Sequence, residues 1–338
     1  MKLGNEAVAD RAAVMRAAAS LERERQLTLL PYVAAVFLGA ALIFSLEPMV
    51  GKQVLPRLGG APAVWNTCLL FFQAMLLAGY AYAHYGLRKL GMKWHTLLHH
   101  VLIVLSLIAL IAIPPGDVAE PPLDRSPIGW LLLTLFRSVG LPFFVLSATA
   151  PLVQSWLAGS GHPAGRDPYF LYAASNFGSL TGLSLYPFVL EPLLGLRAQA
   201  GLWAAVYVVF GALLTALAWR AHRSGEAEAP AREVRVARVP ARTAVRWVGI
   251  AFLPSALLLT VTDYVTTDIA PMPLLWLAPL ALYLMTFIIA FGARPGRGAG
   301  ALRVLQPAVT LILATAVLGG FSKLWLLPLH LFGLTLVA

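Results

Sequence analysis

A helix of about 20 apolar residues crosses the hydrocarbon core of a bilayer, and such runs follow one another along almost the whole of this chain. They cover residues 28–49, 65–85, 96–114, 128–158, 169–190, 197–219, 247–263, 273–291 and 304–321, and a tenth begins near Leu324. Lipid offers no partner for a bare peptide group, so each span has to satisfy its own backbone as a helix. Composition excludes a soluble home for these runs. The chain is 59% hydrophobic and 12% charged, against roughly 45–50% and about 25% in a soluble domain. The expected fold is all-α, a polytopic membrane bundle of about ten transmembrane helices with the lipid bilayer as its main partner.

Loop charge sets the expected orientation, because Lys and Arg gather on the cytoplasmic side. With the N-terminus inside, 19 basic residues fall on inner segments and five (Lys52, Arg57, Arg125, Arg197 and Lys323) on outer ones. The formal net charge of +10 then reflects topology, and no nucleic-acid partner is needed to explain it. The first 26 residues are charged and alanine-rich and lack the pattern of a cleaved signal peptide. The single cysteine, Cys68, excludes a disulfide framework or a multi-cysteine metal site.

Residues 220–246 are long, polar and basic and follow the sixth run, which is the plan of transporters built from two six-helix halves. Phe37-Leu38, Ala41-Leu42 and Val50 recur as Phe252-Leu253, Ala256-Leu257 and Val265, an internal echo of the same plan. The expected organisation is a cytoplasmic tail over 1–26, a six-helix bundle over 27–219, a basic cytoplasmic linker over 220–246, and an incomplete second half over 247–338. The last run ends in Leu336-Val337-Ala338, too short to span, so the chain is expected to be a fragment or truncated relative of a longer protein.

Ionisable residues inside a bilayer are functional candidates because they are costly to place there. Glu47, Glu191, Asp263 and Asp268 are expected on one side of the membrane, where carboxylates at the mouth of a bundle attract cations. Arg137 lies within the long run 128–158, which Gly140 and Pro142 are placed to kink. It is expected to form a buried ion pair with Glu47 or Asp263, to anchor at the interface, or to touch substrate. Asp167 precedes Pro168 as the cap of the fifth helix, and Gly178-x-x-x-Gly182 with Ala174 and Ser175 presents a small-residue face for close packing. Asn176, with Gln73 and Asn66 on the second helix, can hydrogen-bond a ligand or, as is commoner, another helix. His95, His99 and His100 read as interfacial histidines, with a metal site as the weaker alternative. No phosphate loop, zinc-protease helix or nucleophile elbow occurs, so no catalytic residue, metal or cofactor is expected.

Several strings carry a resemblance: Leu46-Glu47-Pro48-Met49, then Leu55-Pro56-Arg57-Leu58-Gly59-Gly60-Ala61-Pro62-Ala63-Val64-Trp65-Asn66, Leu77-Ala78-Gly79-Tyr80-Ala81-Tyr82-Ala83-His84, residues 167–176, and Tyr264-Val265-Thr266-Thr267-Asp268-Ile269-Ala270. Over nearly the whole chain from Leu27, this resembles the membrane module of bacterial fused transporter/spermidine-synthase-like proteins. The resemblance implies a module similar to the major facilitator superfamily, followed by a cytoplasmic synthase-like domain that lies beyond this sequence. The loop Gly86-Leu87-Arg88-Lys89-Leu90-Gly91 departs from the facilitator pattern by lacking its acidic residue. The resulting expectation is a multi-pass protein of the bacterial inner membrane, transporter-like and handling a cationic or polyamine-like solute. The alternative is an anchor for a spermidine-synthase-like enzyme domain or subunit.

Overall fold

A computed structural model describes residues 2–58, 62–112, 127–223, 239–264, 277–292, and 311, 312 and 315. Among these the backbone is helical apart from short turns, with no strand. In chain order the helices are α1 (Lys2–Val54), α2 (Pro62–Ala112), α3 (Pro127–Leu135), α4 (Leu141–Gly159), α5 (Phe170–Leu185), α6 (Glu191–Leu193), α7 (Leu196–Arg223), α8 (Ala241–Tyr264) and α9 (Leu277–Gly292). Five stretches are long and apolar enough to cross a membrane: Thr28–Val54, Asn66–Leu110, Pro127–Gly159, Leu196–Trp219 and Ala241–Thr262.

The second of these is two arms rather than one rod. Gly91 has φ 74 and ψ 168, a conformation open to glycine but not to a helix interior. Contacts across it pair Gly86 with His95 and Tyr82 with both His95 and His99, as antiparallel arms require. The runs expected at 65–85 and 96–114 are therefore a hairpin.

π-helical turns break two further helical stretches, the third of these spans at Phe136–Gly140 between α3 and α4 and the expected run 169–190 at Tyr186–Leu190 between α5 and α6. The first falls at Gly140-Leu141-Pro142, where the sequence places a kink. The second has Pro187 within it; Pro187 has no N–H to give the helical ladder. Residues 170–193 thus stay helical from end to end, with one loose turn near the finish.

Small residues decide which helices touch. A side chain on Gly178 would overlap the Phe37 backbone, and one on Gly182 would overlap the Ala41 backbone. Both offsets are alike, so α1 and α5 run parallel with their backbones in contact, as the small-residue face predicts. Gly79 admits Ser147 of α4 against α2 in the same way. Around these contacts Phe72 packs on Phe143 at 4.8 Å and Trp203 on Tyr207 at 5.3 Å. Buried hydrogen bonds tie α7 to its neighbours: Trp203 Nε1 donates to the Leu42 carbonyl at 3.0 Å, and the Ser106 and Tyr207 hydroxyls share a bond of 2.6 Å.

The outward faces stay apolar. Leu77, Ile108, Val209 and Leu259 are each more than half exposed on membrane-length helices, which suits contact with lipid. α9 packs on α5. α8 starts at Ala241, six residues before the expected 247, so the helix takes up the end of the basic linker and Arg242 and Arg246 lie on its first turns. Residues 224–238, the run 304–321 apart from three positions, and the last run from Leu324 lie outside the described residues.

Gly182→Ala is expected to lower the melting temperature in detergent, at about 1–3 kcal/mol for overpacking. Gly201→Ala, where an added methyl meets nothing within 4 Å, is expected to be neutral or to stabilise by about 0.5–1 kcal/mol.

Candidate functional site

The proposed site residues do not converge on one point. Glu47 lies in the first span, half-buried, and makes no ion pair or hydrogen bond among the described residues. At 100° per residue it shares a face with Ile43, Val50 and Val54, all buried. Pro48 follows it within α1 and cannot donate to the Phe44 carbonyl, so that turn carries a free carboxylate beside a weakened backbone ladder.

Arg137 is exposed within the π-helical turn and has no ion-pair partner among the described residues, so the expected buried pair with Glu47 does not form. The wide turn directs this side chain off the bundle. Gln73 is exposed on the first arm of α2, as is Asn66. Asn176 is half-buried and donates from Nδ2 to the Tyr172 carbonyl of its own helix at 2.8 Å, rather than across helices. Asp263 lies on the last turn of α8 with its side chain outside the described residues, and Asp268 lies outside them altogether.

Glu191 takes a different part from the one expected of it. Its carboxylate accepts from Lys52 Nζ, closing the ends of α1 and the fifth span over one another. Both side chains are about 40% exposed (41% and 38%), so the pair neutralises charge at that mouth and adds little stability. A ring of free carboxylates is thus reduced by one member. Asp167 accepts from the Tyr169 N–H at 3.4 Å in the turn ahead of α5, but it is not the helix cap: α5 begins at Phe170 and its cap residue is Tyr169.

The histidines are the clearest departure. His95 and His99 are fully buried in the protein rather than turned to the interface. Their rings lie 4.6 and 6.0 Å from Tyr82, and His99 lies 6.4 Å from Trp156. Gly86 gives His95 its place, since any side chain there would overlap the ring. His100, half-buried, bonds through Nδ1 to the Thr96 carbonyl at 2.7 Å. Among the described residues no group of three or more His, Cys, Asp or Glu is placed to hold a metal.

One cavity stands out, of about 170 Å³, between α1, α5, the π-helical turn Tyr186–Leu190 and α7. Its walls are almost wholly apolar, with Leu42, Met49, Gly182 and Trp203 among them. Two buried polar atoms without a hydrogen-bond partner belong to residues lining it, Tyr186 OH and Gln199 Oε1. Gln199 is oriented by its other end, where Nε2 donates to the Leu194 carbonyl at 2.7 Å. Ser45, also in the wall, is occupied by the Leu42 carbonyl at 3.2 Å. Residue order gives little sign of this, because the α1 wall lies more than 130 residues from the walls supplied by α5, the π-helical turn and α7.

Fold and spans together define a multi-pass membrane protein. No family model matches the chain, and no curated protein or solved structure matches it.

Removing the mouth pair tests its weight. A double-mutant cycle of Lys52→Ala and Glu191→Ala is expected to give a coupling below about 1 kcal/mol by thermal unfolding.

Proposed function

We propose that this chain is a transporter-like membrane module whose solute is a cation of polyamine type, recognised at Glu47. One observation carries the reading: a carboxylate in a membrane span, on a face with buried neighbours, has no counter-charge among the described residues. A free carboxylate at that depth is costly unless a cation answers it. The Phe44 carbonyl, which Pro48 cannot bond, offers a second oxygen on the same turn. Lys52, on the same helix, is paired with Glu191 and so does not answer Glu47.

In this reading the chain follows the six-plus-six plan with ten helices, resembles the fused transporter/spermidine-synthase-like family, and lies in a bacterial inner membrane with its N-terminus in the cytoplasm. Packing of α9 on α5 brings the start of a second half against the first, which is where alternating access would need a moving interface.

The test is uptake of radiolabelled spermidine into vesicles carrying the full chain. Saturable uptake is expected. Glu47→Gln should weaken solute affinity about a hundredfold, the loss of one buried charge pair. Glu191→Gln should leave uptake nearly intact. Absence of saturable uptake with the unaltered chain would overturn the transport reading and favour a membrane anchor for a synthase-like enzyme domain.

A further inference from the structure

The cavity between α1, α5 and α7 is unsuited to the solute proposed above. Its walls carry no charged side chain, and an ammonium group held there would lose its hydration without an answering charge. A carboxylate or phosphate would fare no better, since it would face the Gln199 oxygen, an acceptor.

What the two free polar atoms ask for is specific. Gln199 Oε1, an amide oxygen, accepts only, and the bond from Nε2 to the Leu194 carbonyl fixes which end of the amide is the oxygen. It therefore needs a donor. Tyr186 OH both donates and accepts. Tyr186 and Gln199 are each 3% exposed, so bulk solvent does not serve them. A buried polar group left unpaired costs about 1–3 kcal/mol. The complement to this pair is an uncharged group that gives one hydrogen bond and takes one, which describes a hydroxyl.

Depth and direction identify the molecule that bears it. Tyr186 opens the π-helical turn near the end of the fifth span, and Gln199 stands in the first turn of α7. Both are therefore near one boundary of the membrane, on the side where Lys52 meets Glu191. The apolar wall runs from Met49 back along α1 to Leu42 and Ala41, toward the middle of the span. Polar atoms at the boundary with hydrocarbon below them is the arrangement of a lipid. The mouth agrees: Leu185 and Leu202 line the cavity and are also 45% and 43% exposed, and Leu202 lies on a helix long and apolar enough to cross the membrane. An opening framed by exposed leucines at this depth leads into acyl chains and not into water. A cavity of 170 Å³ compares with the ~150 Å³ apolar cavity that holds benzene, so it takes the hydroxyl and the few carbons next to it, while the rest of the lipid stays in the bilayer.

We propose that this cavity binds a membrane lipid with an uncharged hydroxyl head, of the diacylglycerol class. The hydroxyl donates to Gln199 Oε1 and accepts from Tyr186 OH, while the few carbons next to it lie along Leu42 and Trp203. The π-helical turn serves this site by widening the helix where Tyr186 faces α7; such turns recur at functional positions. The site is independent of Glu47, which lies on the opposite face of α1 from Ala41, Ser45 and Met49.

Native mass spectrometry of the detergent-purified full chain tests this, with dioleoylglycerol and dioleoylphosphatidylcholine offered at equal concentrations. Saturable binding of dioleoylglycerol alone is expected. Tyr186→Phe, which removes only the hydroxyl, should weaken it about tenfold, the worth of one buried hydrogen bond. Leu202→Trp, which narrows the mouth from an exposed position, should abolish it, and decides the matter if Tyr186→Phe does not fold. Equal retention of both lipids, no retention of dioleoylglycerol, or binding unchanged by the folded variants would each overturn the proposal. Uptake failure with Glu47→Gln alone would leave lipid binding intact, so the two sites are separately testable.

Discussion

Contact of α1 with α5 at the level of their backbones is the constraint on which the rest of the structure depends. In lipid, apolar side chains gain nothing from leaving their surroundings, so helices associate only where they pack more closely than acyl chains can. Gly178 against Phe37 and Gly182 against Ala41 provide that closeness. The parallel register they impose carries Lys52 to Glu191 at the end of both helices. It also leaves α7 to close the third side, held by the Trp203 bond to the Leu42 carbonyl. Close contact along one stretch and a looser turn at the next produce the cavity, since Gly182 is in its wall and Tyr186 follows one turn later.

Irregular backbone is placed with the same economy. Pro48 in α1, the turn Phe136–Gly140 and the turn Tyr186–Leu190 each disturb a helical ladder, the first two inside membrane-length stretches. Such breaks are tolerated there when they face protein or a cavity. The turn at Tyr186 faces a cavity, and Ser138, Val139 and Gly140 of the other are buried. Pro48 adjoins the one carboxylate of its span with no partner among the described residues. Departures from regular geometry and chemically useful groups thus coincide twice, at Glu47 and at Tyr186.

Much of the architecture was legible because it is written in local periodicity and local residue size. Runs of apolar residues gave the five membrane-length stretches, the Gly178 and Gly182 pair gave a packing face, and Gly140 with Pro142 gave a break. The helix start at Ala241 was not legible, because Arg242 and Arg246 on its first two turns read as linker. Long-range partners were legible least of all. Lys52 and Glu191 each looked like a lone charge, and the burial of His95 depends on a glycine in the opposite arm. Tyr186 and Gln199 carried no signal as single residues; the cavity they share exists only once three helices are assembled.

Parallel packing of α1 on α5 is tested most directly by cross-linking in the membrane. In a chain with Cys68 replaced by Ser, cysteines are placed at Lys52 and Glu191 and treated with a short bifunctional thiol reagent. The structure predicts rapid, intramolecular linkage between these two positions. It predicts none when the second cysteine is moved to Tyr169, at the far end of the same span. Linkage of Lys52 to Tyr169 in preference to Glu191 would contradict the register, and with it the cavity and the placement of Glu47.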